Sequence, residues 1–180
     1  MIRTILTYGS IAGLIVGIPL FAMAVVLAGR PPLPYGVALG YLIMLVALST
    51  VFVAIKRRRD TALGGAIRFW PAFGMGLAIS LVASLFYVVA WEAALTVTGM
   101  GFIDDYAKAA IAEQRAAGAG PEALARLSAE MEQFKADYAD PLFRLPITLT
   151  EILPIGILVS LASAALLRNA RFLPARPLPA

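Results

Sequence analysis

The sequence predicts an all-α integral membrane protein: a four-helix transmembrane bundle with an extracytoplasmic amphipathic helical hairpin between the third and fourth spans. Three observations carry that prediction. The chain of 180 residues is 61% hydrophobic and only 14% charged, against roughly 45 to 50% and 25% in soluble domains. Four apolar stretches, 5–28, 36–55, 69–97 and 145–167, each reach the ~20 residues a helix needs to cross a hydrocarbon core about 30 Å thick. The connection 98–144 repeats apolar residues at helical spacing among charges. A bilayer offers no water to unpaired backbone groups, so isolated runs of this length span it as helices. One membrane domain, 1–180, accounts for the chain.

The first span follows Arg3 and carries Gly9, Gly13 and Gly17 at four-residue spacing. A basic start and "AMA" at 22–24 also resemble a cleaved signal peptide. The length of the apolar run and the glycine stripe favour a retained span. Small residues at this spacing let helix backbones approach closely in lipid, and the pattern recurs as Gly36 and Gly40 in the second span. Gly76, Ser80 and Ser84 repeat it in the third span, and Gly156 with Ser160 in the fourth. All ten are expected at helix contacts, within one bundle or between two copies of the chain. Pro19 and Pro154 fall inside the first and last spans, where neighbouring helices can compensate a lost backbone bond.

Orientation follows from Lys and Arg at the span ends. Arg3, the inner-face cluster Lys56, Arg57, Arg58, Arg59 and Arg68, and Arg168, Arg171 and Arg176 share one side. The long connection on the other side has more acids than bases. Both termini are therefore expected in the cytoplasm. Phe69 and Trp70 form an aromatic belt beside Arg68. The "KRRR" run is accounted for by topology, though it could also attract anionic lipid. The net charge of +4 does not indicate nucleic acid, because the bases lie at span ends rather than along one soluble face. Pro174 and Pro177 have PxxP spacing and receive no function.

Within the long connection, Leu124, Leu127, Met131, Phe134 and Tyr138 recur every three or four residues, and Pro121 with Glu122 makes a good first turn. This predicts a helix over 121–139 that stops before "DP", since the residue before proline leaves the helical region. Upstream, Phe102, Tyr106, Ala110 and Ile111 form a weaker stripe, and "GAGP" turns the chain back. The resulting hairpin, about 102–140, is acidic. A cap over the bundle or a docking surface for a protein partner fits that charge better than attachment to anionic lipid.

With no cysteine and no histidine, thiolate nucleophiles, disulfides, imidazole bases and the usual zinc or copper sites are excluded. No catalytic motif, metal site or cofactor is expected. Two acids interrupt the spans. Counting about 1.5 Å per residue, Glu92 lies about 36 Å from Arg68 and Glu151 about 26 Å from Arg168, so both approach the extracytoplasmic edge of the hydrocarbon. Tyr87 and Trp91 lie on the third span beside Glu92, and Thr148 shares a face with Glu151. Intramembrane acids default to a functional hypothesis, here a proton or cation site. The structural reading is that each Glu accepts hydrogen bonds from Tyr, Trp, Thr or a loop Arg such as Arg144, fixing the hairpin to the bundle. Shallow depth, and the lack of further acids to continue a relay, favour it.

The chain resembles a family of bacterial membrane proteins catalogued as domain of unknown function 4199. The likeness rests on "YGSIAG", "GYLIML", "RRRD" followed by "GGAIRF", "FYVVAW", "FIDDYAKAAIAEQRAAGAG", "EMEQFKADYADPL" and "TEILPIGILVSLASAALLR", and covers nearly the whole chain. It implies four spans and an inner-membrane location, and no established activity. The expected function is a non-enzymatic assembly or interaction protein using the hairpin and the small-residue faces, its partners being the bilayer, a second copy or an extracytoplasmic protein. The alternative is a small oligomeric transporter or channel subunit with its ion site at Glu92 and Glu151.

Overall fold

The computed structural model describes residues 1–30, 33 and 35–174. Arg176 and Pro177 lie outside them, as do Pro31, Pro32 and Pro34. Six helices and no strand occur among the described residues: α1 Ile2–Val26, α2 Gly36–Ala62, α3 Phe69–Thr98, α4 Gly101–Ala116, α5 Pro121–Tyr138 and α6 Pro141–Leu167. Helices α1, α2, α3 and α6 are each long and apolar enough to cross a membrane. Their outward faces keep large apolar side chains uncovered, such as Ile18, Val37, Leu42, Leu85, Val89 and Leu158. That pattern costs nothing in lipid and would drive association in water.

Helix α3 is the hub, packed against α1, α2 and α6. A Cβ added to Gly9 would meet Val82 Cβ at 2.5 Å, one at Gly13 would meet Phe86 Cβ at 2.5 Å, and one at Gly17 would meet Ala90 Cβ at 3.2 Å. The ascending pairs show that α1 and α3 run parallel, with the glycine stripe filled by α3. A homodimer through this stripe would have to displace α3. Gly76 lies against Ser160, and Gly156 against Ser80, so α3 and α6 run antiparallel. There the Ser80 and Ser160 hydroxyls are 3.4 Å apart, and Ser84 donates to the Ser80 carbonyl at 2.8 Å. Ala47, Leu48, Val51, Ile55, Ile79 and Ile152 are fully buried between these contacts.

Gly36 and Gly40 depart from the packing expectation. A Cβ at Gly40 would meet nothing within 4 Å, and one at Gly36 would touch only Leu33. Both face a cavity instead. Helix ends differ too: α2 continues to Ala62 rather than 55, and α6 starts at Pro141 rather than 145. Pro141 occupies the first turn, and the Asp140 carboxylate accepts from the Leu142 amide at 2.9 Å, a proline and cap arrangement suited to a helix start.

At the end of the bundle that holds Met1 and the α2–α3 turn, the basic run divides. Arg57 donates to the Tyr8 hydroxyl at 3.3 Å and Lys56 to Asp60 at 2.5 Å. Arg59 is fully buried. Its guanidinium donates to Asp60 at 2.7 Å and to the Phe172 and Leu173 carbonyls at 2.9 and 2.5 Å. Arg68 and Trp70 remain exposed. The cluster is thus not a uniform surface patch, since Arg59 is committed to the segment after α6.

At the opposite end, α4 and α5 pack on each other, with Asp104 and Lys135 paired at 2.7 Å. The α5 stripe is as predicted, Leu124, Leu127, Met131 and Phe134 being half-buried and Tyr138 buried. On α4 the packed face is shifted. Ile103 and Ala107 are buried, whereas Phe102 and Tyr106 are about half exposed and line the cavity.

Candidate functional site

The sequence-predicted polar residues converge where α5 meets the bundle. Trp91 and Glu92 come from the last third of α3, Tyr138 from the end of α5, and Arg144 from the first turn of α6. Arg144 Nε and Nη2 donate to the two Glu92 oxygens at 2.7 and 2.6 Å. This is a bidentate fork, the strongest geometry for such a pair. The third nitrogen, Nη1, donates to the Tyr138 carbonyl at 2.9 Å and the Ala139 carbonyl at 3.4 Å. The guanidinium carbon also lies 5.8 Å from the Tyr138 ring centroid, within cation–π range.

Why an arginine stands here follows from helix electrostatics. The first turn of a helix is a poor place for a cation and the last turn a good one. Arg144 opens α6, yet it caps the carbonyls that close α5. The unfavourable end is offset by Glu92 and the favourable end is used directly. Arg144 is almost wholly buried, whereas the Glu92 side chain keeps 31% exposure, so the acid retains some water and the cation depends on its partners.

Tyr138 completes the joint. Its hydroxyl accepts from Trp91 Nε1 at 2.8 Å. Its ring packs with Leu95 and Ile103 under Phe134 and Ile147. Burial pushes the phenol above its ordinary range, so it stays protonated and neutral. Trp91 also stands edge-on to Phe102, with ring centroids 5.1 Å apart, bringing α4 into the same cluster.

The two acids are not a shared carboxylate site. Glu92 is held by Arg144, while Glu151 accepts from the buried Tyr87 hydroxyl at 2.6 Å. Thr148 is buried and donates to the Arg144 carbonyl at 3.1 Å; it holds the first turns of α6 and is not a partner of Glu151. Arg144, expected as a loop donor to the buried acids, does pair with Glu92, but from the first turn of α6 rather than from the loop. A cation in the first turn of a membrane helix requires an acid, and Glu92 supplies it.

Beside this joint, between α1, α2, α3 and α4, lies a cavity of about 460 Å³ with a mostly apolar lining. Tyr87 and Trp91 from the polar cluster form part of its wall.

Four apolar helices, a docked pair of amphipathic helices and an ion-paired joint define the class: a polytopic helical protein with apolar helices suited to a membrane. Its sequence matches the family model described as "Protein of unknown function (DUF4199)" over residues 7–169, and the chain belongs to that family. Neither the curated proteins nor the solved structures give a match.

Proposed function

We propose that this is a non-enzymatic multi-pass protein of the bacterial inner membrane, with both termini cytoplasmic, that holds the α4–α5 hairpin on the extracytoplasmic face as a rigid surface for assembly with a protein partner. The observation that carries this reading is the Arg144 fork, which ties the end of α5 to Glu92 on α3 and leaves the hairpin little freedom to swing. Distribution of Lys and Arg supports the orientation. The exposed hairpin face, with Glu113, Arg115, Glu122, Arg126 and Glu130, is polar and suits a water-exposed partner. The transport reading needs Glu92 free to exchange ions, and its two oxygens are both taken by Arg144.

Because the chain has no cysteine, single cysteines report sidedness directly. In intact cells an impermeant maleimide is expected to label Gln114→Cys and to reach Thr61→Cys only after permeabilisation; the reverse pattern overturns the orientation. A photo-crosslinker at Gln114 or Arg126 should then give a discrete adduct in native membranes that Arg144→Gln abolishes. No adduct at either position, with Glu92-dependent ion flux in proteoliposomes, would favour the transporter instead.

A further inference from the structure

The cavity is formed by an absence of side chains. Gly36 and Gly40 face it with no neighbour that a Cβ would touch, apart from Leu33, so α2 stands off from the surrounding helices where the other glycine stripes draw theirs together. Its volume of about 460 Å³ falls among ligand sites, which run from roughly 300 to 1,000 Å³ and are mostly apolar with a few polar groups. It extends from Val16 and Met44 in the middle of the bundle up to Arg30 and Asp105 at the hairpin end. Along α2, Gly36 to Met44 is eight residues, or about 12 Å of rise, close to one leaflet of a hydrocarbon core about 30 Å thick. A pocket one leaflet deep fits a single acyl chain.

The hairpin end adds charge. Arg30 and Asp105 line the same cavity; among the described residues they form no ion pair with each other, and Asp105 has one loose contact with Lys108 at 3.6 Å. One cation and one anion over an apolar slot complement a headgroup that carries both signs. Phe102 and Tyr106, turned away from α5, complete the wall beside Trp91, an amphipathic aromatic lining of the kind found at membrane interfaces.

We propose that the cavity binds one acyl chain of a zwitterionic glycerophospholipid, its phosphate meeting Arg30 and its ammonium meeting Asp105. This rests on the four helices crossing a bilayer and is independent of any protein partner of the hairpin. The chain has two tryptophans, and Trp70 is 75% exposed at the other end of the bundle. In a Trp70→Phe background, Trp91 alone reports on the cavity.

The test is quenching of Trp91 in detergent micelles titrated with phosphatidylethanolamine brominated on its acyl chains, against phosphatidylglycerol brominated in the same way. Saturable quenching at a concentration at least tenfold lower for phosphatidylethanolamine is expected. Asp105→Asn should bring the two lipids within about twofold of each other, and Gly40→Leu should remove the saturable phase by filling the slot. Equal quenching by both lipids in the parent overturns the proposal, as does quenching unchanged by Gly40→Leu. Asp105→Asn is an isosteric change at a half-exposed residue that keeps the test valid if Gly40→Leu does not fold. Loss of selective quenching with the cysteine labelling pattern intact would reject the lipid site and leave the orientation standing.

Discussion

Replacing Arg144 by Gln removes four donations at once: two to Glu92 and two to the carbonyls that end α5. Breaking a buried ion pair from one side costs about 3–5 kcal/mol, but Glu92 is 31% exposed and its freed charge can rehydrate, which lowers the pair's share to about 2 kcal/mol. Loss of the carbonyl contacts adds about 1 kcal/mol. The expected cost, about 3 kcal/mol, falls on the local opening of α5 away from the bundle. At 1.4 kcal/mol per decade, amide exchange in the last turn of α5 should accelerate by about 150-fold. Arg144→Lys keeps the charge without the fork and should cost about half, near tenfold in exchange. The assay is hydrogen exchange in nanodiscs followed by mass spectrometry, with peptides from α1 and α2 as internal references. Unchanged exchange at 134–138 in Arg144→Gln would refute the idea that this arginine holds the hairpin.

Three further outcomes follow from the same geometry. Gly13→Ala places a Cβ 2.5 Å from both Phe86 Cβ and Cγ, a contact too close to absorb without moving α1 off α3; it should cost about 1–3 kcal/mol in thermal unfolding, while Gly40→Ala, with open space around it, should change little. Arg59→Ala releases the Phe172 and Leu173 carbonyls and should make trypsin cleave after Arg171 markedly faster, and equal cleavage would show that the clasp does not restrain this segment. The Lys135 ammonium beside Asp104 holds that carboxyl below its usual range, and Asp104 in turn holds Lys135 above its own. The pair's contribution is therefore present at neutral pH, lost as pH falls through the lowered carboxyl pKa, and lost again as pH rises through the raised ammonium pKa. Melting curves between pH 5 and pH 2 should show a small extra decline in wild type that Asp104→Asn lacks.

How far the sequence foretells this arrangement depends on whether a signal is local. Apolar run length locates α1, α3 and α6 within a few residues and the start of α2 to the residue, because bilayer thickness sets a length that composition can meet or miss, while the end of α2 runs seven residues on through the basic run to Ala62. The α5 stripe and the Pro121 start are equally local. The α4 face was displaced because two apolar surfaces compete on that helix: Ile103 and Ala107 serve α5, while Phe102 and Tyr106 serve the cavity, and periodicity cannot say which partner takes which. Gly36 and Gly40 carry the same spacing as Gly9 and Gly13, yet one pair makes space and the other removes it, a difference that only the opposing helix decides. Arg59 looks like its basic neighbours until the segment after α6 folds over it. The polar site was half legible. Glu92 and Glu151 stand out against apolar surroundings, and Arg144 and the nearby Tyr, Trp and Thr are their evident candidate donors, but which donor meets which acid is decided across 52 and 64 residues of chain, beyond any spacing rule.

The two arginine clasps also impose an order on biogenesis. Arg144 reaches back from α6 to α3, and Arg59 waits on α2 for carbonyls 113 and 114 residues later. A chain halted after α5 would leave Arg59 with Asp60 but without its two carbonyl acceptors at one end of the bundle, and an unmatched Glu92 carboxylate at the other. Arrival of the last helix satisfies both, so completed synthesis is written into the two membrane faces as the loss of an unpaired carboxylate on one and of unsatisfied guanidinium donors on the other. Membrane quality control that surveys such unsatisfied polar groups would distinguish finished from truncated copies without inspecting the fold between them.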